Sequence, residues 1–350
     1  MEQTRLIRKR SGSIDLTKAL AICAVLLIHC SANRFAMFDV GSNRWLATTL
    51  WGTVSRWAVP VFLMCSGALM NDPTRDLSMK KLFSKYILRL VMALSVWAAA
   101  YECLRIYISR DALPISELLI NAVKNWCCGS TYYHLYYFYF AMALYLALPL
   151  TRMIAKHSSA SELRYILILW FTVGSVVPCI KHFYPFTLMQ SSLWMFSLSP
   201  LFLCPALGLL GWYLLQHAAK KWYSGPLIFF LGFAVSFFGT WYRSHAAGTL
   251  DAFFLDAFNI AVLCMAVGLF RTTQWLADRY SIPSVITFIS RASFCIYLTH
   301  PYFQWLIMPT ELTAMAPYWG VPLQAAIIMA PSIIAYLILR KIPFVKQWLI

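Results

Sequence analysis

The segment "IDLTKALAICAVLLIHC", residues 14–30, decides the fold class because it is an apolar run fit to cross a bilayer. A helix rises about 1.5 Å per residue, so roughly 20 mostly apolar residues span the hydrocarbon core. The run nevertheless carries a cation near its start, Lys18, and a histidine near its end, His29. Ionisable groups at membrane depth cost free energy, and they commonly mark a functional path.

The rest of the sequence has the composition of a polytopic membrane protein. Of its 350 residues, 61% are hydrophobic and 12% are charged. About ten apolar segments are long enough to span a bilayer, and their continuous runs favour helices over alternating β-strands. The sequence therefore predicts an all-α, polytopic transmembrane helical bundle that forms one membrane domain over residues 1–350, with no separate soluble domain. The predicted spans are 14–34, 48–70, 86–108, 134–153, 164–181, 197–216, 225–243, 252–270, 286–306 and 320–340.

The distribution of lysine and arginine predicts the orientation of these spans. Basic residues concentrate in alternate loops, beginning with the segment "RLIRKR" at 5–10, and such loops face the cytoplasm. With an even number of spans, both termini are expected in the cytoplasm. Orientation and anionic lipid headgroups also account for most of the formal charge of +16, so no nucleic-acid partner is expected.

The first segment also imitates a signal peptide, because a basic stretch precedes an apolar one. Lys18 would interrupt the apolar core of such a peptide. We expect the segment to be retained as the first span.

The ionisable residues inside the predicted spans fall at two levels. At a rise of about 1.5 Å per residue, His29, Arg56 and His300 all lie roughly 20 Å from the cytoplasmic side. His134 begins the fourth span and is expected at the outer mouth, with Glu102 nearby in depth. The sequence thus predicts a chamber with histidines in the outer half of the membrane.

The second level lies within a turn or two of the cytoplasmic face. It holds Asp15, Lys18, Arg89 and Arg291, and a basic loop adds Lys80, Lys81 and Lys85. The path along the helix from Lys18 to His29 is about 16 Å, the scale of an extended cofactor tail. These cations could therefore receive an anionic ligand from the cytoplasm.

Structural explanations remain open for several of these side chains. Lys18 could extend its ammonium to the inner headgroups, and His134 could be an interface residue. His29 could simply be hydrogen-bonded between helices. Arg56 has no comparable route to a membrane surface, so a functional role is favoured there.

Four sequence blocks resemble the motifs of the integral-membrane acyltransferase-3 family. The first is the Asp15, Lys18 and His29 spacing of the opening span. The others are "SRWAVPVFLMCSG" at 55–67, "HLYYFYFAMALYLALP" at 134–149 and "SFCIYLTHP" at 293–301. One block departs from the family pattern, since the usual Arg-x-x-Arg of the third span is "YILR" at 86–89. It keeps Arg89 but has Tyr86 at the first position, where Lys85 is a candidate substitute.

The resemblance implies a ten-span bundle and O-acyl transfer, usually of acetyl. The size and motifs are most similar to the short bacterial O-acetyltransferases of the family. In such proteins the donor would be cytoplasmic acetyl-CoA or another acyl-CoA, used as a substrate with no bound cofactor and no metal. The acceptor would be a hydroxyl of a cell-envelope carbohydrate or glycolipid at the outer side of the bacterial cytoplasmic (inner) membrane. The implied partners are the lipid bilayer, the acyl-CoA, that acceptor and proteins of polysaccharide synthesis.

Acyl transfer requires a base, a donor site and stabilisation of charge at the thioester oxygen. We expect His29 to be the base or a transient acyl carrier, and Arg56 to orient the thioester or its oxyanion. The expected donor-binding residues are Lys18, Arg89, Lys85 and Asp15. The expected acceptor-side residues are His134, His300, Glu102 and Tyr297.

Two other classes of protein fit the same residues. A transporter for a polysaccharide or an anionic metabolite would also line its path with buried cations and histidines. A scaffold of a polysaccharide-synthesis complex would need no reactive histidine. Consumption of acyl-CoA distinguishes an enzyme from both.

Overall fold

The computed structural model describes residues 2–109, 114–195, 197–217, 221–308 and 311–350, which are mainly helical and contain no β-strand. The first nine helices are α1 (Glu2–Ala32), α2 (Asn43–Ser55), α3 (Ala58–Met70), α4 (Met79–Lys81), α5 (Leu88–Ser109), α6 (Ile115–Cys127), α7 (Tyr136–Leu146), α8 (Leu148–His157) and α9 (Ala160–Phe171). The next nine are α10 (Val177–Ile180), α11 (Gln190–Met195), α12 (Pro200–Gln216), α13 (Ser224–Ala247), α14 (Ile260–Arg279), α15 (Ser284–Ile307), α16 (Glu311–Ala314), α17 (Pro317–Leu339) and α18 (Pro343–Trp348). Two π-helical turns, Leu82–Ile87 and Thr172–Val176, and two 3₁₀ turns, Phe186–Met189 and Phe253–Leu255, join some of them.

Most predicted spans coincide with helices that can cross a membrane. Within the described residues, seven helical stretches are long and apolar enough, and the bent pair α7 and α8 makes an eighth. The prediction of a polytopic helical bundle is confirmed. The stretches are Gly12–Ala32, Asn43–Met70, Met79–Tyr107, Ala160–Ile180, Ser224–Ala247, Phe253–Arg279 and Pro317–Leu339.

Two of the ten predicted spans fall on helices outside this set. The helix α12 is apolar but has only 17 residues. The helix α15 has 24 residues, and polar side chains such as Ser293, His300 and Gln304 are buried along it. A helix that buries polar groups against its neighbours needs less apolar character than one that faces lipid.

The helix α1 lies at the centre of the bundle, in contact with α2, α3, α14, α15 and α17. It runs parallel to α15. The Ser290 hydroxyl donates to Asp15 at 2.6 Å, and the Gln304 amide donates to the carbonyl of His29 at 2.8 Å, so both contacts keep a sequence offset of 275 residues. This pairing puts His29 of α1 opposite Gln304 and about one helical turn from His300 of α15.

Glycines bring α3 and α12 into backbone contact. A Cβ atom at Gly67 would overlap the backbone of Gly208, and one at Gly211 would overlap the carbonyl of Met64. Small residues allow such close approach between membrane helices, where dispersion contacts drive association. The α3 wall of the interior is fixed in this way.

A proline explains the break between α2 and α3. Pro60 has no N–H to offer the carbonyl four residues earlier, and its ring crowds that carbonyl. The carbonyl belongs to Arg56, which caps the end of α2 before α3 begins at Ala58. The sequence thus places Arg56 at a helix break inside the bundle.

Candidate active site

A cavity of about 800 Å³ lies inside the bundle, within the size range of small-molecule sites. Its walls come from α1, α3, α5, α7 and α15, together with the segment 252–258 that precedes α14. Six of the residues expected at the site line it: Lys18, His29, Arg56, Arg89, His134 and Tyr297.

Cations gather at one end of this cavity, which we call the cationic end and define by Lys18, Arg89 and Arg291. The Arg89 guanidinium donates a hydrogen bond to the backbone carbonyl of Ile350 there. Tyr86 also lines the cavity, and its hydroxyl accepts a hydrogen bond from Arg75 at 3.0 Å. A second arginine therefore reaches the position where the family pattern has its first cation.

Three imidazole rings form a contiguous group, the histidine cluster of His29, His134 and His300. The ring centroids of His29 and His300 are 4.9 Å apart, and those of His134 and His300 are 5.5 Å apart. His300 is fully buried and His134 is 1% exposed, whereas His29 is partly exposed to the cavity that it lines. Of the contacting rings of His29 and His300, only that of His29 lines the cavity, so a ligand there can reach it.

The tautomer of His300 follows from the proline next to it. Pro301 has no N–H, so the carbonyl of Tyr297 loses the helical hydrogen bond it would otherwise accept. His300 Nδ1 lies 2.7 Å from that carbonyl oxygen, which can only accept, so the proton is on Nδ1. The Nε2 atom is buried without a hydrogen-bond partner among the described residues, so its lone pair is available to a neighbour.

The structure buries the side chain of His134, which is 1% exposed. The sequence places this residue at the outer mouth of a span, and that depth stays a prediction. Tyr297 donates a hydrogen bond to the carbonyl of His134, and the imidazole packs against Tyr101 at a centroid distance of 4.8 Å. Both ring nitrogens of His134 are buried without partners in the described part of the chain.

Arg56 faces an acidic residue across the cavity. Its Nε atom is buried with no hydrogen-bond partner among the residues that the structure describes. Asp256 also lines the cavity and is exposed to it, while its Oδ1 accepts a hydrogen bond from the backbone of Phe258 at 2.8 Å. The cavity therefore has a guanidinium and a carboxylate in the same chamber as His29.

Four of the expected site residues do not line this cavity. Asp15 accepts the hydrogen bond from Ser290 that ties α1 to α15. Lys85 is exposed, with its ammonium 5.9 Å from the Tyr86 ring centroid. Glu102 forms an ion pair with Arg105 at 2.8 Å. The fourth, His300, reaches the site only through its contact with His29.

Two residues near the site, Gln304 and Tyr133, were missed by sequence reasoning. Gln304 holds the carbonyl of His29, and its Oε1 accepts from the Tyr133 hydroxyl at 3.2 Å. Because Gln304 follows His300 by four residues, helical periodicity could have placed it on the same face. Asp256 stands out in the sequence as an acid within a predicted span, but the sequence assigned it no role.

An ion pair anchors the loop that carries Asp256 into the cavity. Arg243 Nε donates to Asp251 Oδ2 at 2.9 Å, and the backbone N–H of Asp251 donates to Ser244 at 2.9 Å. The hydrogen bond from Arg243 lowers the pKa of Asp251 below its ordinary value. These contacts attach the loop to the side chains of Arg243 and Ser244 on α13, before the chain turns into the bundle.

A multi-pass helical bundle with an inner cavity lined by cations and histidines defines a membrane protein with an interior small-molecule site. The family model described as an acyltransferase domain matches residues 11–341. The chain belongs to the acyltransferase-3 family and is a membrane acyltransferase of the kind that transfers groups other than aminoacyl groups. No curated protein and no solved structure is similar enough to count as a match.

Proposed function

We propose that this enzyme transfers an acyl group, ordinarily acetyl, from cytoplasmic acyl-CoA to a hydroxyl of a cell-envelope carbohydrate or glycolipid at the bacterial inner membrane. The observation that carries the proposal is the single cavity that joins the cationic end to His29. Its two ends hold the two kinds of group that a phosphorylated thioester donor requires.

The donor would enter at the cationic end. CoA carries phosphates, and Lys18, Arg89 and Arg291 can bind them through charge-assisted hydrogen bonds. Along α1 the distance from Lys18 to His29 is about 16 Å, so an extended pantetheine arm can carry the thioester from these cations towards the histidine cluster.

His29 is the proposed base because, of the two cluster members that line the cavity, it is the more exposed, whereas His134 is 1% exposed. His29 takes the proton of the acceptor hydroxyl, and the oxygen attacks the thioester carbonyl carbon. The resulting oxyanion is stabilised by the Arg56 guanidinium. Collapse breaks the C–S bond, and the proton moves from the His29 imidazolium to the CoA thiolate. In the covalent variant, the unprotonated nitrogen of His29 attacks the thioester carbon, the C–S bond breaks, and CoA leaves with the ring proton as the thiol. The acceptor oxygen then displaces the imidazole, which takes up the hydroxyl proton.

His300 supports this role as a positioning residue. Its Nδ1–H donates to the Tyr297 carbonyl, which leaves the lone pair on Nε2 free. The ring of His300 contacts the ring of His29. An N–H of His29 directed at that lone pair would leave the other nitrogen of His29 to accept the acceptor's proton.

The decisive experiment measures release of free CoA by purified protein in lipid, supplied with acetyl-CoA and extracted envelope glycolipids. We expect release only when the acceptor is present, and the acetylated glycolipid should appear by mass spectrometry. His29→Ala should lower the rate at least roughly a hundredfold because it removes the general base. The matched control is His157→Ala, which changes an exposed histidine at the end of α8.

Two results would count against the proposal. Normal transfer by folded His29→Ala would remove His29 from the mechanism. No CoA release by the wild-type protein, across several acyl-CoAs and acceptors, would remove the donor and leave transport of an anionic ligand as the better account of the cavity.

A further inference from the structure

A second cavity lies beside the first, between α15, α17 and α18. Its volume is about 590 Å³. Three cations line it, Arg291, Arg340 and Lys346, and none of its lining side chains is acidic. A concave site lined by three cationic side chains and no acidic side chain favours an anion with more than one negative charge.

One wall of this second cavity is aromatic. The rings of Phe288 and Tyr336 meet edge to face at a centroid distance of 5.9 Å. The guanidinium of Arg340 lies over Tyr336, 5.5 Å from the ring centroid. Planar aromatic and guanidinium groups stack well on nucleobases, so the wall suits a base next to phosphates.

The two cavities meet at shared residues. Arg291 and Ile350 line both of them. Arg291 thus faces the cationic end of the first cavity on one side and the second cavity on the other. A ligand with a bulky charged head and a narrow tail could occupy both.

We propose that the second cavity binds the adenosine end of the CoA donor with its 3′-phosphate, while the pyrophosphate lies at the cationic end and the pantetheine arm continues into the first cavity. The inference rests on the proposed function and extends it, because it assigns Arg340 and Lys346 to donor recognition. The phosphate of an anionic lipid headgroup has the same charge chemistry. The aromatic wall and the continuity with the first cavity favour the nucleotide.

The test is direct binding, so that it does not depend on catalysis. Affinities of CoA, 3′-dephospho-CoA and adenosine 3′,5′-bisphosphate are measured by calorimetry for the full chain in nanodiscs of phosphatidylcholine. Arg340→Gln and Lys346→Gln should each weaken CoA and the bisphosphate about tenfold or more, since a charge-assisted hydrogen bond is lost. The matched control Lys341→Gln removes an exposed cation that does not line the cavity, and it should bind CoA like the wild type.

A second arm separates lipid from nucleotide. The same variants are compared for retention of phosphatidylglycerol during purification from mixed nanodiscs. Loss of phosphatidylglycerol with unchanged CoA affinity would overturn the inference and make this a lipid site. Unchanged CoA affinity in both variants, with no lipid effect, would overturn it while leaving the proposed function standing. Failure of the wild-type protein to bind CoA at all would overturn both. Thermal unfolding of each variant checks that the surface changes leave the fold intact.

Discussion

At the residue scale, Pro301 acts on the site through its neighbour. Because Pro301 has no N–H, the Tyr297 carbonyl lacks its helical donor and accepts a hydrogen bond from His300 Nδ1 at 2.7 Å. The ring that contacts His29 is thereby held in one tautomer. A proline of α15 therefore affects the surroundings of His29 on α1.

Replacing Pro301 tests this effect on the tautomer of His300. In Pro301→Ala the new backbone N–H can bond the Tyr297 carbonyl and compete with His300 for it. We expect the transfer rate to fall roughly tenfold, within the range of acid–base effects, while the protein accumulates normally. CoA release in lipid is the measurement. Pro331→Ala, which alters an internal proline of α17, is the control and should keep its activity. An undiminished rate in Pro301→Ala would detach His300 from the reaction.

The Arg243 and Asp251 pair gives a prediction for pH. Because the hydrogen bond from Arg243 holds the pKa of Asp251 below its ordinary value of 3.8, the pair stabilises the folded protein above that pH. The contribution is lost as pH falls through the lowered folded pKa. Both side chains are partly exposed, 30% and 23%, so at pH 7 Asp251→Asn should cost only about 1 kcal/mol.

Thermal unfolding in detergent at pH 7 and near pH 3 checks this. The gap between wild type and Asp251→Asn should be present at pH 7 and should shrink at the lower pH, where protonation begins to remove the charge from the wild type as well. A gap that is equal at both values would assign the effect to the side-chain packing of the loop and not to its charge.

At the element scale, the close approach of two helices depends on glycines, which have no Cβ atom. The helices α3 and α12 touch through Gly67 and Gly208, with no room for a Cβ atom. The wall of the cavity that holds Ser66 and Phe62 belongs to α3. The spacing of these two helices therefore fixes one side of the site.

Gly67→Ala should push α3 and α12 apart and destabilise the protein by about 1–3 kcal/mol, the usual cost of overpacking. The midpoint of thermal unfolding in detergent should fall. Gly12→Ala is the matched control, because its Cβ would meet only the flexible side chain of Ile282, at 3.1 Å. Alanine also favours helix over glycine by roughly 1 kcal/mol, so the control should be neutral or stabilising. Equal effects of the two changes would contradict the account of the interface.

The π-helical turn Leu82–Ile87 shows why one element could not be read from its sequence. A π turn widens the helix and rotates the residues that follow it relative to an α-helix. Tyr86 and Arg89 then line the cavity, while Lys85 is exposed. Lys85 was a candidate for the family arginine because of its spacing along the chain. A π turn changes the side of the helix that a residue at a given spacing faces.

At the scale of the whole molecule, the orientation in the membrane remains a prediction. The excess of Lys and Arg in alternate loops predicts that both chain ends lie in the cytoplasm. Cys127 and Cys128, which are free and exposed near the end of α6, then face the outside. An impermeant maleimide should label these two in right-side-out vesicles and miss them in sealed inside-out vesicles. The double Ser variant controls for other thiols, and the opposite labelling pattern would invert the topology.

The sequence by itself determined the class of fold and the kinds of residue at the site. Apolar runs of sufficient length must become helices in a bilayer, because every backbone polar group needs an internal partner there. The cost of burying charge made Lys18, His29, Arg56 and Arg89 stand out, and all four line the cavity. Helical rise predicted that His29 and His300 lie close in depth, and their rings are in contact.

Only the tertiary structure decided which of these groups share a chamber. Depth along a helix is local, but the direction in which a side chain faces depends on how helices rotate and approach one another. Glu102 pairs with Arg105, Asp15 accepts from Ser290, and the His134 carbonyl accepts from Tyr297. Asp256 enters from a loop whose path is set by contacts with α13, which no periodicity encodes. The physical reason is that these positions result from long-range packing, and the spacing of residues along one segment carries no information about it.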